Sequence, residues 1–138
     1  MSVIDDSHLF RSLDPVGREK LLDAASVVHF GGGRVIVREG DLGCALFLVK
    51  EGRVRITMMI DGEIIELARL GRGGCFGEVA VLSQKPRTAT VVADEDCTLL
   101  RFSREAVEDV LNEYPKVMQL LESLVQGRAR DTIEKIMG

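Results

Sequence analysis

Arg53-Val54-Arg55-Ile56-Thr57-Met58-Met59-Ile60-Asp61-Gly62-Glu63-Ile64-Ile65-Glu66-Leu67-Ala68-Arg69-Leu70 reads as two β-strands joined by a tight turn. Its arms are rich in Val, Ile and Leu, residues that pack well on a pleated surface. The Asp61-Gly62 joint suits a two-residue hairpin, which needs positive φ at its centre. Working outward, the runs Val27–Phe30, Arg34–Arg38 and Cys44–Lys50 precede the hairpin, and Arg87–Ala93 and Cys97–Phe102 follow it. They are punctuated by Gly31-Gly32-Gly33, Gly40-Asp41, Glu51-Gly52, Gly71–Gly74 and Asp94-Glu95-Asp96, at intervals of roughly ten residues. Short strands at even spacing predict an antiparallel, jelly-roll-like β-roll over about residues 27–102. The fold class is mainly β with flanking helices.

The flanks are helical. Asp14 is a cap and Pro15 fits a first helical position, so a short helix is expected to about Ala25, with Leu21, Leu22 and Ala25 on its apolar face. Ser103 is a second cap, for a helix to about Glu113, and Pro115 begins a third that runs to the end. On that last helix Met118, Leu121, Val125, Ala129, Thr132 and Ile136 repeat at steps of three and four, which makes one mostly apolar stripe. All 138 residues are read as one domain, with C-terminal lid or dimer helices over about 103–137.

The composition narrows the function. With 46% hydrophobic and 29% charged residues the chain reads as globular. A net charge of -4 argues against direct nucleic-acid binding. No apolar run is long enough to span a bilayer, and Met1–Asp6 does not resemble a signal peptide, so a cytoplasmic location is expected. Cys44, Cys75 and Cys97 are widely spaced and form no C-x-x-C pair; they read as buried thiols rather than as a metal site. No grouping resembles a nucleophile with its base or paired acids, so no catalysis and no cofactor are expected.

One stretch breaks the strand rhythm: Gly71-Arg72-Gly73-Gly74-Cys75-Phe76-Gly77-Glu78-Val79-Ala80-Val81-Leu82. Its glycines let backbone approach a ligand, and Glu78–Leu82 can form one turn whose free amides attract an anion. Beyond it, Arg87 opens a strand in Ser83-Gln84-Lys85-Pro86-Arg87-Thr88-Ala89-Thr90. A guanidinium there offers paired donors to one phosphate, and an ionised Glu78 suits a sugar hydroxyl. Free amides, an arginine and a glutamate together match a phosphate joined to a ribose. A Glu78–Arg87 ion pair is the plainer alternative. Neither a Walker A nor a G-x-G-x-x-G pattern occurs.

Phe76-Gly77-Glu78-Val79-Ala80-Val81-Leu82 with Pro86-Arg87-Thr88-Ala89-Thr90-Val91 resembles the phosphate-binding cassette of cyclic-nucleotide-binding domains, the family of catabolite activators, kinase regulatory subunits and nucleotide-gated channels. Glu39-Gly40-Asp41, Leu46–Val49 and Glu51-Gly52-Arg53-Val54 resemble its early strands and turns. The resemblance implies that Glu78 binds the ribose 2′-hydroxyl, that Arg87 binds the cyclic phosphate, and that amides at Gly77, Thr88 and Ala89 complete the phosphate contacts. Phe76 and Val79 belong to the same motif. Gly74-Cys75 departs from the larger residue often found before that Phe.

A Thr at the position of Thr88 serves guanine in cyclic-GMP-dependent kinases. The segment Arg128-Ala129-Arg130-Asp131-Thr132 is similar to the long helix of catabolite activators, where a Thr placed like Thr132 meets adenine. Ile133 stands where those have Ser. Arg128 matches an Arg that covers the base in some channel domains. The implied ligand is cyclic AMP in preference to cyclic GMP, bound by a regulatory sensor that signals through its C-terminal helix. The alternatives are the sensor half of a transcription regulator and a non-binding module that forms a homodimer through the Met118–Ile136 stripe.

Overall fold

Asp14 opens the first helix among the described residues as its sequence requires: its carboxylate accepts from the Gly17 amide at 2.8 Å, and Pro15 follows at the first helical position. This helix, α1 (Pro15–Ala24), leads into strands β1 (Ser26–Phe30), β2 (Val35–Val37), β3 (Leu46–Glu51), β4 (Val54–Ile60), β5 (Glu63–Leu70), β6 (Cys75–Phe76), β7 (Thr90–Ala93) and β8 (Cys97–Phe102), and then into α2 (Arg104–Glu113). The chain is seen as a computed structural model that describes residues 13–43, 45–77 and 87–115, with the isolated positions 119 and 123.

The strands form two four-stranded sheets, ordered β1-β8-β3-β6 and β2-β7-β4-β5, with antiparallel pairing throughout. The β4–β5 hairpin turns at Asp61 and Gly62, with φ of 50° and 82°. That two-residue, doubly positive geometry matches the twist of the flanking strands.

β3 explains how the layers stack. Leu46, Phe47, Leu48 and Val49 are all buried, because both faces of the strand are covered. Leu46 and Leu48 pack with Leu13 and Leu21, with Val107 and Val110 of α2, and with Leu100 and Phe102 of β8. Phe47 and Val49 point the other way, toward Val54, Ile56, Val91 and Ala93 of the second sheet. The sheet holding β3 is thus a middle layer between helices and the second sheet. Each fully buried aliphatic side chain there contributes roughly 1.5–3 kcal/mol. Cys75 and Cys97 are buried free thiols within these layers. Burial pushes the Cys97 thiol pKa up, so this sulfur is a poor nucleophile.

Two strand boundaries differ from expectation. β6 is only two residues long, too short for a periodic signal, yet it completes an edge by pairing Phe76 with Phe47. Arg87 stands three residues before β7 rather than opening it. Its backbone bonds are taken by a loop, with Arg87 N donating to the Asp41 carbonyl and Gly40 N donating to the Arg87 carbonyl, each at 2.8 Å.

The helices are clasped together. Ser103 caps α2 through the Ala106 amide, as its sequence predicts. At the other end of α2, the Tyr114 hydroxyl donates to Asp14 at 2.8 Å. Its ring lies on Gly17, where a Cβ would come within 2.8 Å of Cζ. The nearby Lys20–Glu113 ion pair is half exposed and contributes little.

The clasp carries a pH signature. The Gly17 amide, and next the Tyr114 hydroxyl, hold the Asp14 carboxyl below its ordinary value of 3.8. The same bond pushes the Tyr114 pKa up. A depressed acid stabilises the fold above its unfolded pKa and loses that effect as pH falls through the folded one; a raised tyrosine stabilises below its unfolded pKa and loses the effect at high pH. Tyr114→Phe is therefore expected to be less stable than the natural chain at about pH 7, with the gap narrowing below about pH 4. Urea unfolding at several pH values measures it, and a gap that stays constant into acid contradicts the clasp.

Candidate functional site

The stretch singled out by sequence begins on a core anchor. Phe76 is 1% exposed and stacks on Phe47 with ring centroids 5.0 Å apart. Its side chain is thus committed to the space between the sheets, and this fixes where Gly77 emerges. Gly77 adopts φ of 94°, a conformation that strains any residue with a Cβ. A Cβ there would also come within 2.5 Å of the Ala45 carbonyl and 2.8 Å of Arg87 Nη1.

Arg87 lies beside it. At 8% exposure it is the only charged residue that is buried among the described residues. Nη2 donates to the Ala45 carbonyl at 3.2 Å. On another side stands Gly43, where a Cβ would come within 2.9 Å of Nη2 and 3.0 Å of Nε. The guanidinium therefore sits in a niche walled by the backbone of Gly43, Ala45 and Gly77, while the Gly40–Asp41 segment grips its own backbone. Burying a cation is costly unless acceptors surround it. Such a niche fixes the fork in one orientation, which favours paired contact with an oxyanion.

Thr88, next in the chain, is exposed, and Ala89 is half-buried against the core between the sheets. Thr90 then starts β7, and its hydroxyl accepts from the Glu39 amide at 3.0 Å, which ties the strand to the same loop that grips Arg87. Of the expected site residues, the structure brings together Gly77 and Arg87, with Phe76 anchoring the one and Thr88 and Ala89 following the other. Glu78, Val79, Arg128 and Thr132 lie outside the described residues.

Sequence reasoning did not find Gly43. The contact that requires it lies 44 positions downstream, and a glycine between Leu42 and Cys44 reads as ordinary turn material. Among the described residues, no group of three or more His, Cys, Asp or Glu is placed to hold a metal, and no helix is long and apolar enough to cross a membrane.

Comparison with known proteins places this geometry. The family model described as "Cyclic nucleotide-binding domain" matches residues 27–114, from the second residue of β1 through Tyr114. The chain belongs to that family.

Other members of the cyclic nucleotide-binding family resemble it over most of its length. The Cyclic AMP receptor protein of Thermus thermophilus is 36% identical over 126 residues, which is 91% of this chain and 58% of that one. A cGMP-dependent protein kinase of Toxoplasma gondii is 30% identical over 128 residues, 91% of this chain and 12% of the kinase. The solved structure of the Thermus thermophilus Catabolite Activator Protein superposes with a TM-score of 0.82 at 34% identity, covering 93% of this chain and 61% of that one. The chain thus spans well under two thirds of the length of the curated relatives it matches. The expected β-roll and the expected family are both established.

Proposed function

We propose that this cyclic nucleotide-binding domain is a regulatory sensor whose ligand is cyclic AMP in preference to cyclic GMP. The observation that carries the reading is the buried Arg87 in its glycine-walled niche, eleven positions after Phe76 within the same cassette. In this reading Arg87 pairs with the cyclic phosphate. The amides of Gly77, Thr88 and Ala89 add donors, and Val79 lines the same cassette. Glu78 accepts from the ribose 2′-hydroxyl. The C-terminal helix, with Arg128 and Thr132 one turn apart, closes over the purine and carries the signal. The free energy available for signalling is the ligand's differential affinity for the open and closed states, about 1–3 kcal/mol.

The ligand preference has support on both sides. The relative matched at 36% is named for cyclic AMP, and the kinase matched at 30% is named for cyclic GMP. Thr132 favours adenine, and the exposed Thr88 is free to serve a guanine, so the preference is modest. A second reading has its own support: the likeness to the Thermus receptor protein and to the activator structure, of which this chain covers 58% and 61%, suits the sensor half of a transcription regulator. Both readings share the same ligand site and neither assigns catalysis to this chain. A homodimer through the Met118–Ile136 stripe is compatible with either, as is a cytoplasmic location.

Arg87→Ala is expected to weaken cyclic-nucleotide binding by at least about 2 kcal/mol, roughly thirtyfold, with the fold kept. 2′-Deoxy cyclic AMP is expected to bind the natural chain more weakly than cyclic AMP, and to add little further loss in Glu78→Gln, because that variant has already damaged the contact. Calorimetric titration reads all four combinations. Near-natural affinity in folded Arg87→Ala overturns the phosphate assignment; equal 2′-deoxy penalties in both proteins overturn the ribose one.

The lid is tested by release rate. Deleting Arg128–Gly138 is expected to speed loss of a fluorescent cyclic-AMP analogue in stopped flow while binding persists, and Thr132→Val is expected to shift the ratio of the two nucleotide affinities. An unchanged off-rate and ratio, with an altered oligomeric state by light scattering, would assign the stripe to dimerisation alone.

A further inference from the structure

Three glycines border the Arg87 niche, and they are glycines for different reasons. Gly40 has φ of 87° and nothing within 4 Å of where a Cβ would stand, so its requirement is conformational. Gly77 has both a left-handed φ and close neighbours. Gly43 is the third kind. Its φ is outside the left-handed region, so its backbone suits an alanine. The three atoms nearest to a Cβ at position 43 all belong to one side chain: Arg87 Nη2 at 2.9 Å, Nε at 3.0 Å and Cζ at 3.3 Å.

We infer that Gly43 is a positioning residue for Arg87: its missing side chain sets how far the guanidinium lies from the loop wall, and so where its fork points. The inference rests on the reading of Arg87 as the phosphate-binding group and adds a residue that this reading does not contain. Nη2, the atom a Cβ at 43 would press, is the atom that donates to the Ala45 carbonyl. The wall cannot easily retreat, because the loop is tied to Arg87 itself through the Asp41 carbonyl and the Gly40 amide, each at 2.8 Å. Leu42, between Asp41 and Gly43, is 81% exposed, so the loop's hold here is backbone to backbone rather than a buried side chain. A methyl group at 43 therefore moves the guanidinium and not the loop. Displacing a fixed fork by a few tenths of an ångström spoils paired contact with two oxygens of one phosphate, whereas a sugar or base contact elsewhere is untouched.

The test has a ligand arm and a ligand-free arm. In calorimetric titration, Gly43→Ala is expected to lower affinity for cyclic AMP and cyclic GMP by the same factor, about tenfold or more, with their ratio and the 2′-deoxy penalty held within about twofold. In an Arg87→Lys background, whose side chain lacks the fork, Gly43→Ala is expected to cost no more than about twofold. In the ligand-free protein, Gly43→Ala is expected to lower the melting temperature by about 3 °C or more with Arg87 present and by about 1 °C or less in Arg87→Ala. Gly33→Ala serves as control: φ there is 88° with nothing within 4 Å, so its cost should be the same in both backgrounds. Melting shifts for Gly43→Ala that are equal with and without Arg87, or additive affinity losses with Arg87→Lys, overturn the inference. Failure of the natural chain to bind either nucleotide would overturn the sensor reading instead, and the melting arm would still decide whether Gly43 and Arg87 are coupled.

Discussion

A guanidinium held inside a protein is the constraint around which this structure is arranged. Water stabilises an exposed arginine freely, and a buried one depends on fixed acceptors and on walls that fit its shape. Here the Ala45 carbonyl accepts from Nη2, and Gly43 and Gly77 stand so close that neither position has room for a Cβ. The walls and the guanidinium come from three segments of the chain. Gly43 and Ala45 precede β3, Gly77 follows β6, and Arg87 precedes β7. The niche therefore exists only once both sheets have formed, and Arg87 reports the assembled fold rather than any local motif.

The core supplies the rigidity that this niche needs. β3 is buried on both faces, with Leu46 and Leu48 toward the helices and Phe47 and Val49 toward the second sheet. Phe47 in turn stacks on Phe76, one residue before Gly77. A chain of packing thus runs from α1 and α2 through β3 to the cassette. The clasp of Tyr114 on Asp14 and Gly17 joins α1 to the C-terminal end of α2. Any displacement of α2 must either carry α1 with it or break that clasp, which makes the helix pair one mechanical element.

Much of this was legible in the residues. Asp61-Gly62 specified its hairpin because positive φ at both positions leaves few alternatives, and Asp14 and Ser103 capped the helices they precede. The cassette was legible for a different reason: it concentrates close-approach glycines, a glutamate and an arginine within one short stretch. What stayed hidden depends on distance along the chain. β6 has two residues and no period, so only its pairing with β3 reveals it. Arg87 belongs to a loop bracket rather than a strand end because Asp41 and Gly40 take its backbone bonds. Phe76 reads as a motif residue, yet its ring is committed to Phe47. Gly43 gave no sign, since the atoms that exclude a side chain there come from Arg87.

On the proposed reading, the Arg87 niche is shaped for a cyclic phosphate on a ribose. Isothermal titration of the natural chain with cyclic AMP beside linear 5′-AMP tests it most directly, because the two share base and sugar and differ in the phosphate. A fork held in one orientation should accept the cyclic monoanion and reject the more highly charged, freely rotating monoester. The account predicts a saturable, one-to-one heat for cyclic AMP with an affinity at least about a hundredfold above that for 5′-AMP, a difference of about 2.7 kcal/mol. Equal affinity for the two, or no heat with cyclic AMP at all, would contradict it.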